Sequence, residues 1–146
     1  MMPVSHDFFL KIAKESIESS GENWSRNAIS RAYYHMFHTT TALIGGQQNI
    51  PDTDGKGNKL TGGTHKRFCD YLCDGDAARD FFLDPVLTKE AGMKLKAAHH
   101  QRVIADYRLQ KHVHRYTANS VIEDAENQIA KVEAILLSKT DTSHSA

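Results

Sequence analysis

The chain has 146 residues, of which 40% are hydrophobic and 25% are charged, a composition typical of one ordinary globular domain. Its 18 Lys and Arg residues balance 18 Asp and Glu residues, so any contact with nucleic acid has to come from a local basic patch. Two cysteines are too few for a disulfide scaffold. The chain shows no signal-peptide pattern and no apolar run near the ~20 residues that span a bilayer. We therefore expect a cytoplasmic protein with no membrane segment.

Apolar residues recur at helical spacing along the first half of the chain, and no segment alternates as a strand does. The first predicted helix runs from about Asp7 to Ser20. The second runs from about Trp24 to Ile44, with Asn23 as a candidate N-cap. After a glycine-containing loop, Gln47–Gly63, Thr64 is expected to cap a third helix that ends near Cys73.

The second half is also helical in pattern. A short apolar segment, Ala77–Leu83, stops near Pro85, and a long helix is expected over Thr88–Lys111. Ser120–Glu123 reads as a capping box that opens a last helix through about Leu137. Together these elements predict an all-α, up-and-down bundle of four to five helices. Residues 1–139 are expected to form this single domain, and residues 140–146 a flexible C-terminal tail.

Polar clusters interrupt two of the predicted helices. Four residues of the second helix share one face at helical spacing: Arg31, Tyr34, His35 and His38. On the long helix, Arg102 and Asp106 form an i, i+4 pair. Because burying such groups unpaired costs several kcal/mol each, they must either satisfy one another or do chemistry. One interpretation is an Arg102–Asp106 ion pair with Arg31 as a second cation. The other is a phosphate-binding face.

The chain is locally basic from Lys94 to Arg115. Asp106 is the one acidic residue in this region. Six cations lie there: Lys94, Lys96, Arg102, Arg108, Lys111 and Arg115. This region is a candidate RNA-facing surface. An ordinary solvated helix face explains the same pattern.

A metal site is not indicated by the spacing of the third helix. His65, Cys69 and Cys73 recur every four residues, but a straight helix rarely presents three ligands to one ion. Cysteines that pack in the core explain the pattern better. We therefore expect neither a metal nor a cofactor.

Three motifs, taken together, resemble those of HEPN domains. The second helix carries Ser30-Arg31-x-Tyr33-Tyr34-x-x-Phe37-His38, the third begins with Thr64-His65-Lys66, and the long helix carries Arg102-x-x-Ala105-Asp106-Tyr107. The resemblance implies a helical bundle that forms a homodimer and acts on RNA, tRNA among the candidates, in a toxin–antitoxin or phage-defence setting. Many HEPN domains are metal-independent ribonucleases that use an Arg and a following His. Others are non-catalytic nucleotide- or RNA-binding modules that work with a minimal nucleotidyltransferase as partner or antitoxin.

This chain departs from the nuclease motif because Tyr107 stands where the family has its His. A shifted motif, Arg108 followed by His114, fits the family's spacing. On the nuclease interpretation, Arg102 or Arg108 holds the phosphate and His99 or His114 handles protons. Asp106 then orients the arginine, and Tyr107 contacts the scissile region.

On the binding-module interpretation, Arg31, His38, Arg102 and Asp106 form a structural or nucleotide-binding network. Five residues are the candidates for contact with nucleotide or phosphate: Arg31, Tyr34, His35, His38 and His65. A purely structural dimerisation domain is a third interpretation, since it needs only the core pattern.

Overall fold

The computed structural model describes residues 6–18, 21–54 and 56–144. Within them lie six α-helices: α1 (Asp7–Glu18), α2 (Glu22–Thr41), α3 (Thr64–Cys73), α4 (Asp76–Phe81), α5 (Pro85–Tyr107) and α6 (Arg115–His144). These residues contain no β-strand, only an isolated bridge between Thr53 and Lys59. The all-α prediction is confirmed. The helix count exceeds the predicted four to five because the short segment after α3 forms a helix of its own.

Helix α2 is the centre of the bundle and packs against α1, α5 and α6. Its apolar residues are buried on more than one side, as in a helix surrounded by others. Tyr33 and Met36 are completely buried, and Phe37 nearly so. Phe68 of α3 and Leu95 of α5 complete this part of the core. Because α2 has neighbours on several sides, polar residues along it are held against other helices.

Several helices begin earlier than the sequence predicts, and two of them are α2 and α6. Helix α2 starts at Glu22, after Gly21, so Asn23 is not its N-cap. Helix α6 starts at Arg115, and Ser120 lies inside it instead of capping it. The reason is tertiary packing, since Ala118 is fully buried before the capping box is reached. Gly63, not Thr64, occupies the N-cap of α3.

The long helix α5 begins earlier and ends earlier than predicted. The Asp84 carboxylate accepts a hydrogen bond from the Leu87 backbone N–H at 2.9 Å, and Pro85 occupies the first turn. This is a favourable helix start, because Pro lacks the N–H that the first turn leaves unpaired. The helix ends at Tyr107, and residues 108–114 form a segment that leads to α6.

The ends of the chain are described in part. Helix α6 continues to His144, so the backbone of residues 140–144 is helical where a tail was predicted. Residues 1–5, 19–20 and 145–146 lie outside the described residues, and with them the predicted end of the first helix at Ser20 and the last tail residues. Among the described residues, none of the helices combines the length and apolar character needed to cross a membrane.

Candidate functional site

A polar cluster lies where α2, α3 and α5 meet. Six side chains compose it, and we call them the Arg102 cluster: Tyr33 and Tyr34 from α2, His65 from α3, and His99, Arg102 and Asp106 from α5. Residues that the sequence placed in separate motifs therefore come together in one place. Their distances and burial decide what the cluster can do.

Arg102 connects α5 to α2. Its Nη2 donates a hydrogen bond to the Tyr34 hydroxyl at 2.6 Å, and its Nε lies 2.9 Å from Oδ2 of Asp106. The predicted i, i+4 ion pair is therefore present. The Arg102 side chain is only 13% exposed, and its Nε is buried without an aligned hydrogen bond. An ion pair whose N–H does not point at its partner leaves hydrogen-bonding capacity unused.

Asp106 also contacts α2, through Ser30 and not through Arg31. The Ser30 hydroxyl donates to Oδ2 of Asp106 at 3.2 Å. Arg31 lies over the ring of Phe9 at 5.9 Å instead, so it is not the second cation of this pair. Tyr107 is exposed, and the Arg102 guanidinium lies 5.6 Å from its ring centroid.

The structure brings two imidazoles together beside this arginine. The rings of His65 and His99 are stacked, with centroids 5.4 Å apart and planes 16° from parallel. The buried Tyr33 hydroxyl is 2.6 Å from Nδ1 of His65, which fixes that ring in place. His99 precedes Arg102 by one helical turn. The sequence predicted both histidines as site residues, but not their contact, because they lie on different helices.

The surroundings of these imidazoles favour their neutral forms. Burial, together with the neighbouring His99 and Arg102, lowers the pKa of His65 to about 4. The pKa of His99 is also lowered, first by burial and then by Arg102 and His100. At neutral pH the cluster thus places uncharged imidazoles next to a cation. A neutral imidazole can accept a proton, which a general base must do.

The polar face predicted on α2 divides in the structure. Tyr34 points to Arg102, whereas His38 and Arg31 contact Phe9 of α1. His35 is completely buried and faces His6 across the α1–α2 contact. Burial lowers the pKa of both His35 and His38. A phosphate group therefore does not have all four side chains on one accessible face.

The shifted motif lies apart, on the segment between α5 and α6. The side chains of Arg108 and His114 are exposed, and His114 stacks on Tyr116 at 5.0 Å. His114 also lines a cavity of about 250 Å³, together with His112 and Arg115. The guanidinium of Arg26, which no sequence motif singled out, donates to backbone carbonyls of this segment.

The basic residues around α5 do not form one uniform surface. Lys94 lies 3.7 Å from Asp124 of α6, and Arg102 turns inward.

A second cavity, of about 260 Å³, lies between the 51–61 loop and α3–α4. Its charged lining residues are five aspartates and three cations: Asp54, Asp70, Asp74, Asp76, Asp80, Lys66, Arg67 and Arg79. An acidic cavity of this kind is a poor receptor for phosphate.

The cysteines of α3 are free thiols. Cys69 is buried in the core, as the sequence predicted, and burial raises its pKa to about 12. Cys73 is partly buried, and its Sγ lies close to Gly92 of α5, where an added Cβ would be 2.9 Å away. Gly92 therefore permits the close approach of α3 and α5 that brings His65 to His99.

Comparisons of this chain with family models, with curated proteins and with solved structures found no match. The resemblance to HEPN domains thus rests on the three motifs. The class that the described residues define is an all-α bundle with an Arg–His–Tyr cluster between three helices.

Proposed function

We propose that this chain is a HEPN-like protein that acts on RNA as a metal-independent endoribonuclease, with the Arg102 cluster as its cleavage site. The observation that carries the proposal is the stacked His65–His99 pair beside Arg102. Metal-free RNA cleavage needs a base for the 2′-OH, an acid for the leaving 5′-oxygen and a cation for the charged phosphorane. Two imidazoles and a guanidinium meet those three needs.

The roles follow from position. His99 is the better general base, because the more strongly lowered pKa of His65 makes it a weak proton acceptor. His65, held by the Tyr33 hydroxyl, is the acid after bound substrate has raised its pKa and it has taken up a proton from solvent. A phosphodiester anion placed against Arg102 would raise both histidine pKa values, since a nearby negative charge favours the imidazolium form.

Arg102 and Tyr107 are the proposed contacts to substrate. A guanidinium has five N–H donors in a planar fork that matches phosphate oxygens. Asp106 orients that fork through the 2.9 Å ion pair. Tyr107 is exposed beside it and offers a ring on which an RNA base can stack.

We further propose that the working form is a homodimer. Three large side chains near the end of α5 and the start of α6 are exposed: Tyr107, Leu109 and Tyr116. A second copy packed there would cover apolar surface next to the cluster and could place two clusters across a two-fold axis. Sedimentation of the chain, beside a Leu109→Glu variant, tests this part of the proposal.

A second candidate function is that of a non-catalytic nucleotide- or RNA-binding module. Such a module works with a minimal nucleotidyltransferase, which serves as its partner or antitoxin. The observation that favours it is that Arg102 is 13% exposed and already engaged by Tyr34 and Asp106. Such an arginine is held as in a structural network. Tyr107 in place of the family's His points the same way.

The test is cleavage of total RNA and of a tRNA pool by the purified chain in EDTA. His99→Gln and Arg102→Lys remove the proposed base and the planar fork, and Arg108→Lys with His114→Gln are matched controls on the other motif. We expect His99→Gln to lower the cleavage rate by about 100-fold or more, since general-base catalysis contributes that much. Thermal unfolding confirms that each variant is folded.

The outcomes separate the candidates. Loss of cleavage in the Arg108 and His114 variants alone would move the site to the α5–α6 segment. Absence of cleavage, combined with RNA binding that Arg102→Lys weakens, would establish the binding module. Absence of both would refute an RNA-directed function.

A further inference from the structure

A second histidine cluster joins the start of α1 to the middle of α2. Nδ1 of His6 lies 3.2 Å from Nδ1 of His35. Oδ1 of Asp7 lies 3.9 Å from the first of these nitrogens and 3.8 Å from the second. The three atoms therefore form a compact triangle of two imidazole nitrogens and one carboxylate oxygen.

We propose that His6, Asp7 and His35 bind a divalent transition-metal ion of the zinc class. Zinc–ligand bonds of ~2.0–2.1 Å in a tetrahedral site put neighbouring ligand atoms ~3.3 Å apart. The 3.2 Å separation of the nitrogens has that value, and the carboxylate needs a movement of about half an ångström to reach it. Imidazole nitrogens with a carboxylate oxygen select zinc, cobalt, nickel or copper over magnesium or calcium.

The geometry around His35 supports this site. His35 is completely buried, and its Nε2 lies 3.4 Å from the buried Thr39 hydroxyl. A ligating histidine commonly donates its second N–H to such a group, which fixes the ring and its tautomer. Asp7, by contrast, is 75% exposed, so an ion can enter from solvent. Three protein ligands leave one tetrahedral position for water.

The competing arrangement is a direct hydrogen bond. With a proton on its Nδ1, His35 can donate to the His6 ring and to the His6 backbone carbonyl, which is 3.3 Å away. Metal binding at Nδ1 requires the other neutral tautomer of His35, in which the single ring proton is on Nε2 and Thr39 accepts it. No spacing along the chain points to this site, because His6 and His35 lie 29 positions apart.

The site is distinct from the proposed cleavage site, and its test does not depend on RNA cleavage. The chain is freed of metal and titrated with Co²⁺, whose visible spectrum reports coordination geometry, and bound Co²⁺ is then displaced with Zn²⁺. His35→Gln removes the buried ligand and could prevent folding. Asp7→Asn and His6→Gln each alter a ligand on the solvent side, so they are expected to fold and keep the test valid. His114→Gln is the matched control, since His112 and His114 form another close imidazole pair, on the α5–α6 segment.

We expect one equivalent of Co²⁺ with a tetrahedral spectrum, and a rise in melting temperature with Zn²⁺, because an ion that binds only the folded state stabilises it. Asp7→Asn and His6→Gln should weaken Zn²⁺ binding by about tenfold or more, since even loss of an outer-sphere group costs that much. The affinity of His114→Gln should equal that of the unaltered chain. Absence of saturable binding, an octahedral spectrum, or a loss confined to His114→Gln would overturn the proposal.

Discussion

Two arginines connect α2 to α5, and they do so with different partners. Arg26 donates to backbone carbonyls at the end of α5, those of Ile104 and Ala105, at 3.1 and 2.9 Å. It also reaches carbonyls of the segment beyond that helix: Arg108, Leu109 and Lys111. Arg102 instead contacts two side chains, the Tyr34 hydroxyl and the Asp106 carboxylate.

This difference in partners indicates that Arg26 has a structural role, whereas Arg102 is the arginine that can bind a ligand. The last carbonyls of a helix lack partners within it, and Arg26 donates to two carbonyls of the last turn of α5, of which that of Ile104 also accepts from the Arg108 backbone N–H. Glu22 completes this contact, because its Oε1 accepts from both Arg26 and the Val113 backbone N–H. Backbone partners cannot move away to admit a ligand. The side chains around Arg102 can change rotamer, so that arginine is the one able to exchange partners for a phosphate.

The largest expected effect is that of Arg26→Ala. It removes a mostly buried cation from several carbonyls, and we expect the free energy of unfolding to fall by about 3 kcal/mol. Urea denaturation measures this free energy. Arg26→Lys keeps the charge but not the planar fork, so its free energy of unfolding should lie between those of the unaltered chain and of Arg26→Ala. A loss no larger than that of an exposed arginine would remove the structural role that we assign to Arg26.

The next effect is a pH dependence of stability that resides in the Arg102 cluster. The pKa of His65 is about 4 in the folded state, below its value in the unfolded chain. The folded protein therefore binds the proton of the His65 imidazolium less tightly than the unfolded chain does. The stabilisation is complete above the unfolded value near 6.5 and is lost as pH falls towards 4, by about 2 kcal/mol between pH 7 and pH 5.

His65→Asn should flatten that dependence, since its amide oxygen can still accept from Tyr33 but does not titrate. Denaturation at pH 7, 6 and 5 measures the slope for both chains. The exposed His114→Asn is the control and should keep the full slope. An equal slope in His65→Asn would show that His65 is not a buried neutral imidazole.

A smaller effect is the coupling between Arg102 and Asp106. Their ion pair is partly buried, and its Nε is not aligned for a hydrogen bond. We therefore expect a coupling free energy of about 1 kcal/mol in a double-mutant cycle of Arg102→Met and Asp106→Asn. A coupling as large as the whole effect of Arg26→Ala would make both arginines equally structural and would weaken the proposed cleavage site.

The smallest effect should be that of Arg108→Ala. Only the backbone carbonyl of Arg108 takes part in the Arg26 contact, and its side chain is exposed. The free energy of unfolding should change by no more than about 0.5 kcal/mol. A larger loss in thermal or urea denaturation would show that the side chain itself holds the α5–α6 segment.

Much of the fold was predictable, because helical periodicity is a local property. The third helix ends at the predicted Cys73 and begins one residue earlier than predicted, and every predicted helical segment contains a helix of the structure. Helix ends were less predictable. The capping box at Ser120 lies inside α6, since burial of Ala118 extends that helix towards its N-terminus. A local capping preference of about 1 kcal/mol is easily outweighed by such packing.

Five of the six members of the Arg102 cluster were predicted as site residues and Tyr33 was not, whereas the pairings between helices were not predicted. The i, i+4 relation of Arg102 to Asp106 follows from helix geometry alone, and the structure contains that pair. The Arg31 prediction was wrong about its partner. The residue that Arg31 contacts depends on how α1 crosses α2, and that crossing places the ring of Phe9 beside Arg31. The contacts of Arg26 had only one sequence signal, the i, i+4 spacing from Glu22.

The sequence by itself determined most of the helices and the presence of an Arg–Asp pair on α5, because each depends on neighbours within about two helical turns. Tertiary structure alone decided that His65 meets His99, that Tyr34 meets Arg102, and that His6 meets His35. Those contacts join residues on different helices. Their distances are set by how the helices pack, for example by the close approach of α3 to α5 at Gly92, and not by any spacing along the chain.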